Sequence, residues 1–179
     1  MTKGAMTRPI SDRIQRMIRV DQAGEFGAVR IYAGQLAVMG DRGPNTDKIR
    51  EMAAQEADHR AWFDRLIVER GGRPTALHPI WNVAGFALGA ATALISPTAA
   101  MACTAAIETE IDKHYTQQLA ELGDEDPELA GLITKARDDE REHLDTAMAA
   151  GAERAPAYPL LSGAIRLGCR LAIRLSERI

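Results

Sequence analysis

Apolar residues recur at three- and four-residue steps along most of the chain, the spacing that places them on one face of an α-helix. Clusters of Gly, Pro, Asn and Asp interrupt this pattern, as in GDRGPN at 40–45 and GDEDPE at 123–128. No segment of useful length alternates between apolar and polar residues, so the sequence predicts an all-α fold. About six helices are predicted: 10–39, 46–69, two within 74–122 divided at Pro97, 127–150 with Asp126 as N-cap, and 159–178.

Length, charge and cysteine content narrow the possible functions. The 179 residues suit one domain, which we assign to residues 1–179, and a formal net charge of −3 gives no attraction to nucleic acid. Cys103 and Cys169 lie far apart in apolar segments, so we expect buried thiols rather than a disulfide framework or a Cys-rich metal site. The first twenty residues are basic and contain no apolar run of signal-peptide length, which predicts a cytoplasmic protein.

Two short motifs place a Glu and a His three residues apart: Glu56-Ala-Asp-His59 and Glu140-Arg-Glu-His143. At this spacing both side chains project from one face of a helix and can bind one metal ion. One such motif arises often by chance in Glu-rich helices, whereas two in one chain favour a metal site. The other two histidines of the chain have no comparable partner spacing, and we do not expect them to be ligands.

A single glutamate precedes each motif at nearly the same distance. Glu25 lies 31 residues before Glu56, and Glu108 lies 32 residues before Glu140. The chain therefore repeats a Glu helix followed by a Glu-x-x-His helix, the ligand pattern of ferritin-like four-helix bundles that bind two metal ions. We predict such a bundle with internal duplication, an apolar crossover helix and a C-terminal amphipathic helix. The predicted metal ligands are Glu25, Glu56, His59, Glu108, Glu140 and His143.

The residue types of this set explain its chemistry. Four carboxylates supply the negative charge that neutralises two divalent cations in a dry bundle, and one imidazole per cation completes the donors. Nitrogen and oxygen donors without thiolates suit iron or manganese, and such a centre can activate O2. Single Glu and His residues on helices are usually solvated surface groups, which is the alternative interpretation. The apolar neighbours of Glu25 in AGEFGA and of Glu108 in MACTAAIE disfavour it.

Three more residues share the ligand face by helix geometry. Asp21 lies one turn before Glu25, and Asp112 lies one turn after Glu108, so each either orients a ligand or forms a surface ion pair. Tyr115 lies seven residues after Glu108. It either hydrogen-bonds a substrate or an oxygen species, or is a core tyrosine with a satisfied hydroxyl.

The stretch from Pro74 to Ile107 has 34 consecutive residues without Asp, Glu, Lys or Arg. A crossover helix of this composition is buried, forms an oligomer interface or contacts lipid. Its apolar part at 80–95 has about sixteen residues before Pro97, fewer than the roughly twenty that cross a bilayer. We therefore expect it to lie in the membrane surface, with Trp81 at the lipid–water interface.

The last predicted helix carries arginines at four-residue steps beside apolar residues. Such a basic amphipathic helix can rest on anionic lipid, whereas a solvated arginine face on a soluble protein is the alternative. Together with the uncharged stretch, it predicts association with a membrane surface. The arginines are Arg166, Arg170, Arg174 and Arg178.

Four runs of the sequence resemble the demethoxyubiquinone hydroxylase family of ubiquinone biosynthesis. They are RVDQAGEFGAVRIYAGQLAV at 19–38, AMACTAAIETEIDKHYTQQL at 100–119, RDDEREHLD at 137–145 and CRLAIRLSERI at 169–179. The resemblance covers nearly the whole chain. It implies a ferritin-like di-iron monooxygenase, peripheral to a membrane, that uses O2 to hydroxylate the ring of a polyprenylated demethoxyubiquinol.

The resemblance also assigns residues. It implies that the six predicted ligands bind two iron ions, and that His114 and Tyr115 form the catalytic His-Tyr pair that follows the third glutamate. Gln22 stands where many members of the family carry His. Because about twenty residues precede the first motif, we expect a bacterial member or a mature form, at the cytoplasmic face of the cell membrane. The resemblance further allows other ubiquinone-biosynthesis proteins as partners, and an oligomer.

Three functions remain as hypotheses at this point. The leading one is the membrane-associated monooxygenase, with an external reductant that the sequence does not identify. A ferritin-like protein that oxidises or stores iron without an organic substrate would not need the uncharged crossover. A non-catalytic quinone- or lipid-binding protein would tolerate loss of the motif histidines, whereas the enzyme would not. A tRNA-hydroxylating relative is disfavoured because the acidic balance offers little to RNA.

Overall fold

The computed structural model describes residues 10–41 and 43–179, so the basic N-terminal stretch interpreted above falls partly outside it. The described residues form six α-helices and a short 3-10 turn at Ala152–Arg154, with no strand among them. The predicted all-α fold is confirmed. The helices are α1 (Asp12–Met39), α2 (Thr46–Glu69), α3 (His78–Ile95), α4 (Pro97–Leu122), α5 (Pro127–Ala149) and α6 (Tyr158–Arg178).

Polar side chains define where the later helices of the bundle begin. The carboxylate of Asp126 accepts a hydrogen bond of 3.0 Å from the backbone N–H of Leu129, and Pro127 is the first residue of α5. Ser96 accepts one of 2.9 Å from the backbone N–H of Ala99 at the start of α4. Each contact satisfies a backbone donor that the helix itself leaves free, so the sequence fixes these ends locally.

Helices α1, α2, α4 and α5 form a four-helix bundle, in which α1 packs on α2 and α4 packs on α5. Helix α3 connects the two pairs and packs on α1, and α6 packs on α4 and α1. Two apolar clusters fill the bundle above and below its middle, one around Phe63 and Leu129 and the other around Ile49 and Met101. The middle itself is polar.

Helix α3 lies with its backbone directly against α1. A Cβ atom at Gly89 would lie 1.9 Å from the carbonyl oxygen of Ile31, and one at Gly34 would lie 2.2 Å from that of Phe86. Side chains at these two positions would force the helices apart, so glycine permits the close approach. The opposite face of α3 is exposed, and only 22% of the residues of this helix are buried inside the protein.

Within the described residues, α3 is the one helix that is long and apolar enough to cross a membrane, judged by length and composition alone. It begins at His78 and has 18 residues, slightly more than the apolar run read from the sequence. Its outer face exposes large apolar side chains such as Val83 and Leu94. Helix α6 does the same with Leu160, Leu167, Leu171 and Leu175.

Candidate metal centre

The six predicted ligands meet in the polar middle of the bundle. Each of the four bundle helices contributes, and every one of these side chains is 2% exposed or less. The two apolar clusters lie on either side of this level, on the inner faces of the bundle helices. Because the six side chains lie on the same faces, they point inward. The residues are Glu25 on α1, Glu56 and His59 on α2, Glu108 on α4, and Glu140 and His143 on α5.

The six side chains form two overlapping groups of potential metal donors. In one group, ligand atoms of Glu25, Glu56, His59 and Glu140 all lie within 4.8 Å of one another. In the other, the same holds for Glu56, Glu108, Glu140 and His143. Glu56 and Glu140 belong to both groups, so they are positioned to bridge two cations, whereas the remaining residues each serve one.

Both histidines turn the same ring nitrogen toward the carboxylates. Nδ1 of His59 lies 3.4 Å from Oε1 of Glu140 and 3.6 Å from Oε2 of Glu25. Nδ1 of His143 lies 3.1 Å from Oε1 of Glu56 and 3.1 Å from Oε2 of Glu140. This geometry gives each donor group one imidazole nitrogen.

The other nitrogen of each ring has a polar partner on the far half of the chain. Nε2 of His59 lies 3.0 Å from Oδ2 of Asp139, and Nε2 of His143 lies 2.7 Å from Oε1 of Gln55. An acceptor at Nε2 keeps the proton on that nitrogen and leaves Nδ1 free as a metal donor. The orientation of both imidazoles is therefore set from outside the donor groups.

Two tyrosines hold the glutamates that are not shared. The hydroxyl of Tyr115 on α4 donates a hydrogen bond to Oε1 of Glu25, and the hydroxyl of Tyr32 on α1 donates one of 2.9 Å to Oε1 of Glu108. Each tyrosine lies seven residues after the glutamate of its own helix and binds the glutamate of the other. The two halves of the chain thus orient each other's predicted ligands.

The electrostatics of the centre reflect four carboxyl groups in a dry interior. Burial and the neighbouring carboxylates raise the pKa of Glu56 and of Glu108 well above the usual range. Burial opposes charge on His59, yet the nearby carboxylates of Glu140 and Glu25 raise its pKa to about 10. Burial likewise disfavours the Glu140 carboxylate, but hydrogen bonds from His143 and His59 lower its pKa. The cluster therefore attracts positive charge strongly.

Unsatisfied polar atoms show that cations fit this centre. Both carboxylate oxygens of Glu56 and Nδ1 of His59 are buried without a well-formed hydrogen bond in the described part of the chain. Buried polar atoms without partners are costly, and coordination to a metal ion removes that cost. Four carboxylates balance two divalent cations, and the nitrogen and oxygen donors match iron or manganese.

The predicted orienting residues have different surroundings. Oδ1 of Asp21 lies 3.2 Å from Nε2 of His114, and burial raises the Asp21 pKa to about 6. Asp112 accepts a hydrogen bond of 2.6 Å from Nε of Arg141, so it forms the ion pair that was the alternative interpretation. His114 also lines a polar cavity of about 420 Å³, together with Arg16 and other residues.

Sequence reasoning missed three residues of the centre: Tyr32, Gln55 and Asp139. The seven-residue spacing that identified Tyr115 also identifies Tyr32, because the same step leads from Glu25 to it. Gln55 and Asp139 each directly precede a shared glutamate. Their contacts form only when α2 and α5 pack together, so the local sequence does not predict them.

Gln22, the departure from the family pattern noted above, is buried beside the centre. Its Oε1 accepts a hydrogen bond of 2.8 Å from Nε2 of His78, and its Nε2 donates one of 2.7 Å to Asp64. His78 stacks on Phe26, with 4.4 Å between the ring centroids. Gln22 therefore connects the start of α3 to α1 and α2.

An apolar cavity of about 580 Å³ lies between α1, α3, α4 and α6. Gly24 and Ala28 line it from the helix that carries Glu25, and Ile107 and Ile111 line it from the helix that carries Glu108. The cavity therefore lies against the two helices that supply the unshared glutamates. Its remaining walls come from the apolar faces of α3 and α6.

The cysteines and arginines named from the sequence lie outside the centre. Cys103 is buried as predicted, whereas Cys169 is half-buried and lines the apolar cavity. Arg166 and Arg170 on α6 both pair with the buried carboxylate of Glu110, at 2.7 and 3.2 Å. Half of the arginine stripe thus attaches α6 to α4.

Comparison with known proteins identifies relatives over almost the whole chain. A family model described as "Ubiquinone biosynthesis protein COQ7" matches residues 12–176. A protein of Rhodospirillum rubrum named "3-demethoxyubiquinol 3-hydroxylase" is 57% identical over 166 residues, which cover 93% of this chain and 78% of that protein.

Eukaryotic relatives are similar over the same length. A human protein named "NADPH-dependent 3-demethoxyubiquinone 3-hydroxylase, mitochondrial" is 51% identical, over 100% of this chain and 82% of its own. A Saccharomyces cerevisiae protein named "5-demethoxyubiquinone hydroxylase, mitochondrial" is 43% identical, over 93% of this chain and 78% of its own. The family resemblance noted from the sequence is confirmed.

Proposed function

Because the chain belongs to the family of the ubiquinone biosynthesis protein COQ7, we propose that it is a di-iron monooxygenase that hydroxylates a polyprenylated demethoxyubiquinol. The observation that carries this proposal is the pair of buried donor groups that share Glu56 and Glu140. The iron ligands are the six residues of the candidate metal centre. Iron supplies the oxygen chemistry when it is bound there, since no side chain can activate O2 by itself.

The reaction inserts one oxygen atom into a ring C–H bond and reduces the other to water. This balance requires two electrons and two protons besides the quinol and O2. The human and Dictyostelium discoideum relatives are named NADPH-dependent, and we take a reduced nicotinamide nucleotide as the external reductant. A ferritin-like protein that stores iron has no such organic substrate or product.

Four residues around the centre orient its proposed ligands. Tyr115 and Tyr32 hold the unshared glutamates through hydrogen bonds, and Asp139 and Gln55 hold the histidines. Complete burial of the ligands excludes bulk water, which strengthens every electrostatic interaction in the centre. The family resemblance assigns a catalytic role to Tyr115 and His114, and we retain it as part of the proposal.

The apolar cavity supports a lipophilic substrate. A volume of about 580 Å³ accommodates a quinol ring with the first part of its prenyl chain. Its lining comes almost entirely from apolar residues, so it would bind the substrate by burial of apolar surface rather than by hydrogen bonds. The ring would then lie against the helices that carry Glu25 and Glu108.

The open faces of α3 and α6 support a position on a membrane surface. Both helices expose large apolar side chains, and both form walls of the apolar cavity. The backbone contacts of α3 with α1 would bring the metal-binding bundle into the bilayer if α3 crossed it. We therefore propose a peripheral protein at the cytoplasmic face of the cell membrane, with α3 and α6 in contact with lipid.

Substitution of the ligands tests the proposed activity. We expect Glu56→Ala and His59→Ala each to reduce hydroxylation of a demethoxyubiquinol to background and to lower the iron content, because each removes a donor to the centre. Glu51→Ala, at an exposed position of the same helix, is the matched control and should preserve both. The assay combines metal analysis per chain with detection of the hydroxylated quinol after addition of reductant and air. Full activity of either ligand variant would contradict the assignment.

A further inference from the structure

The two halves of the metal centre differ in one pair of corresponding residues. Gln55 and Asp139 each directly precede a shared glutamate, and they are 84 residues apart, as are His59 and His143. Each contacts the Nε2 atom of the histidine in the opposite half, at 2.7 and 3.0 Å. The same position in the two halves thus holds a neutral amide in one case and a carboxylate in the other.

This difference reaches the metal donors through the imidazole rings. A carboxylate that accepts the Nε2 proton leaves more electron density on Nδ1 than an amide oxygen does, and it adds negative charge near the cation. Asp139 also pairs with Lys135, but that side chain is 60% exposed, so solvent weakens its effect. Nδ1 of His59 is therefore the stronger donor of the two.

The surroundings also shield His59 and its partner from solvent better than they shield His143 and its partner. The ring of Trp62 packs on His59 with 4.9 Å between centroids, and the corresponding position in the second half, 84 residues later, is Thr146. Gln55 is exposed, whereas the side chain of Asp139 is 13% exposed. Water therefore competes more strongly for the contact that orients His143.

The rest of the centre does not offset this asymmetry. Glu56 and Glu140 belong to both donor groups, so neither of them is reserved to one position. The unshared glutamates have equivalent partners, because Tyr115 binds Glu25 as Tyr32 binds Glu108. The contacts at Nε2 are the difference that acts on the two histidines themselves.

We infer that the two metal positions are unequal, and that the one formed with His59 binds its cation first and more tightly than the one formed with His143. This inference rests on the metal centre of the proposed function. The first position uses Glu25, Glu56, His59 and Glu140, and the second uses Glu56, Glu108, Glu140 and His143. Asp139 and Gln55 act as positioning residues, through the histidines.

Titration of the metal-free full-length protein with Co(II) tests the inference, with binding followed by calorimetry and by the visible spectrum of the bound ion. We expect two steps in the unmodified chain. His143→Ala retains the first position and His59→Ala retains the second, so the former should bind its single ion at least about 10-fold more tightly. Equal affinities, or the reverse order, would overturn the inference. No Co(II) binding by the unmodified chain would instead refute the proposed metal centre, and the inference with it.

Second substitutions attribute the difference to the positioning residues. Asp139→Asn should weaken binding about 10- to 100-fold when it is added to His143→Ala, and should have little effect when it is added to His59→Ala. Gln55→Glu should tighten binding in His59→Ala. Equal loss in both backgrounds would mean that Asp139 acts through the fold or through general charge, and would overturn its role.

Circular dichroism verifies that each variant retains its helices. If a histidine variant does not fold, the comparison is made in the intact chain, where Asp139→Asn should bring the two stepwise affinities closer together. An unchanged separation between the steps would overturn the inference in that case.

Discussion

Asp21 is a buried carboxyl group on α1, one turn before Glu25, and its protonation is coupled to the stability of the protein. Burial raises its pKa to about 6 from an ordinary 3.8, although hydrogen bonds with His114 and Gln118 act in the opposite direction. The folded state therefore holds this proton more strongly than the unfolded chain does. The resulting stabilisation is complete below pH 3.8 and is lost as the pH rises through about 6.

Asp21→Asn removes this titration, so the variant should lose less stability than the unmodified chain as the pH rises. From pH 4.5 to 7, we expect the free energy of unfolding of the variant to gain about 2 kcal/mol relative to the unmodified protein. Other titrating groups are common to both proteins, so the difference between the two profiles reports mainly on Asp21. Chemical denaturation across this pH range measures the effect.

Replacement of His114 provides the opposite test of the same residue. His114→Gln removes a partner that lowers the Asp21 pKa, so the decline in stability should extend to higher pH and become larger in total. If the unfolding free energy of Asp21→Asn follows the same pH dependence as that of the unmodified chain, the pKa of Asp21 in the folded protein is close to its ordinary value, which would contradict the prediction.

Single residues also show what the sequence alone reveals about the centre. Four of the six predicted ligand positions follow from spacing within helices, because residues three apart share a face wherever a helix forms, and Glu25 and Glu108 follow from the repeated distance to Glu56 and Glu140. The partners of the histidines do not follow, because Gln55 and Asp139 lie 88 and 80 residues from the rings they contact. Charge and spacing likewise do not identify the partner of Asp112, because Arg141 lies on a different helix, α5.

At the scale of helices, the contact between α1 and α3 depends on glycine. Gly89→Ala would bring a Cβ atom to 1.9 Å from the carbonyl oxygen of Ile31, a distance that requires the backbones to separate. We expect a loss of stability of about 1–3 kcal/mol, as for overpacking of a core, and partial detachment of α3. Thermal denaturation measures the loss.

Gly163→Ala on α6 is the matched control for this prediction. Nothing lies within 4 Å of a Cβ atom built at Gly163. Alanine has the higher helix propensity, so this variant should gain up to about 1 kcal/mol. Equal effects of the two substitutions would mean that the close approach of α3 and α1 does not contribute to stability.

Helix bounds are the part of the fold that the sequence predicts best. The interruption at GDEDPE, with Asp126 as cap and Pro127 as first residue, is local chemistry that operates before any packing. The start of α3 is less well predicted, because residues 74–77 carry no charge and yet lie outside the helix. The choice of α1 as the partner of α3 depends on backbone shape, which hydrophobic periodicity does not describe.

For the whole molecule, the arrangement of helices relates the surface to the centre. The carboxylates lie inside the bundle, the apolar cavity adjoins two of its helices, and α3 and α6 separate that cavity from the surroundings. Trp81 of α3 donates a hydrogen bond of 3.0 Å to Ser176 of α6 and so links the two outer helices. In the proposed position on a membrane, a lipophilic substrate that enters between them would not need to cross water.

Vesicle binding tests the orientation proposed for these outer helices. Leu167 and Leu171 are 53% and 49% exposed on one face of α6, and burial of a leucine side chain in lipid contributes about 1.5–3 kcal/mol. The double variant Leu167→Glu and Leu171→Glu should therefore reduce partition into phosphatidylcholine vesicles by more than about 10-fold. Val68→Glu introduces one such carboxylate at an 80% exposed position of α2 and should leave partition unchanged. Flotation of vesicles with each protein measures the bound fraction, and an equal effect of the α2 and α6 substitutions would exclude α6 as the lipid-facing helix.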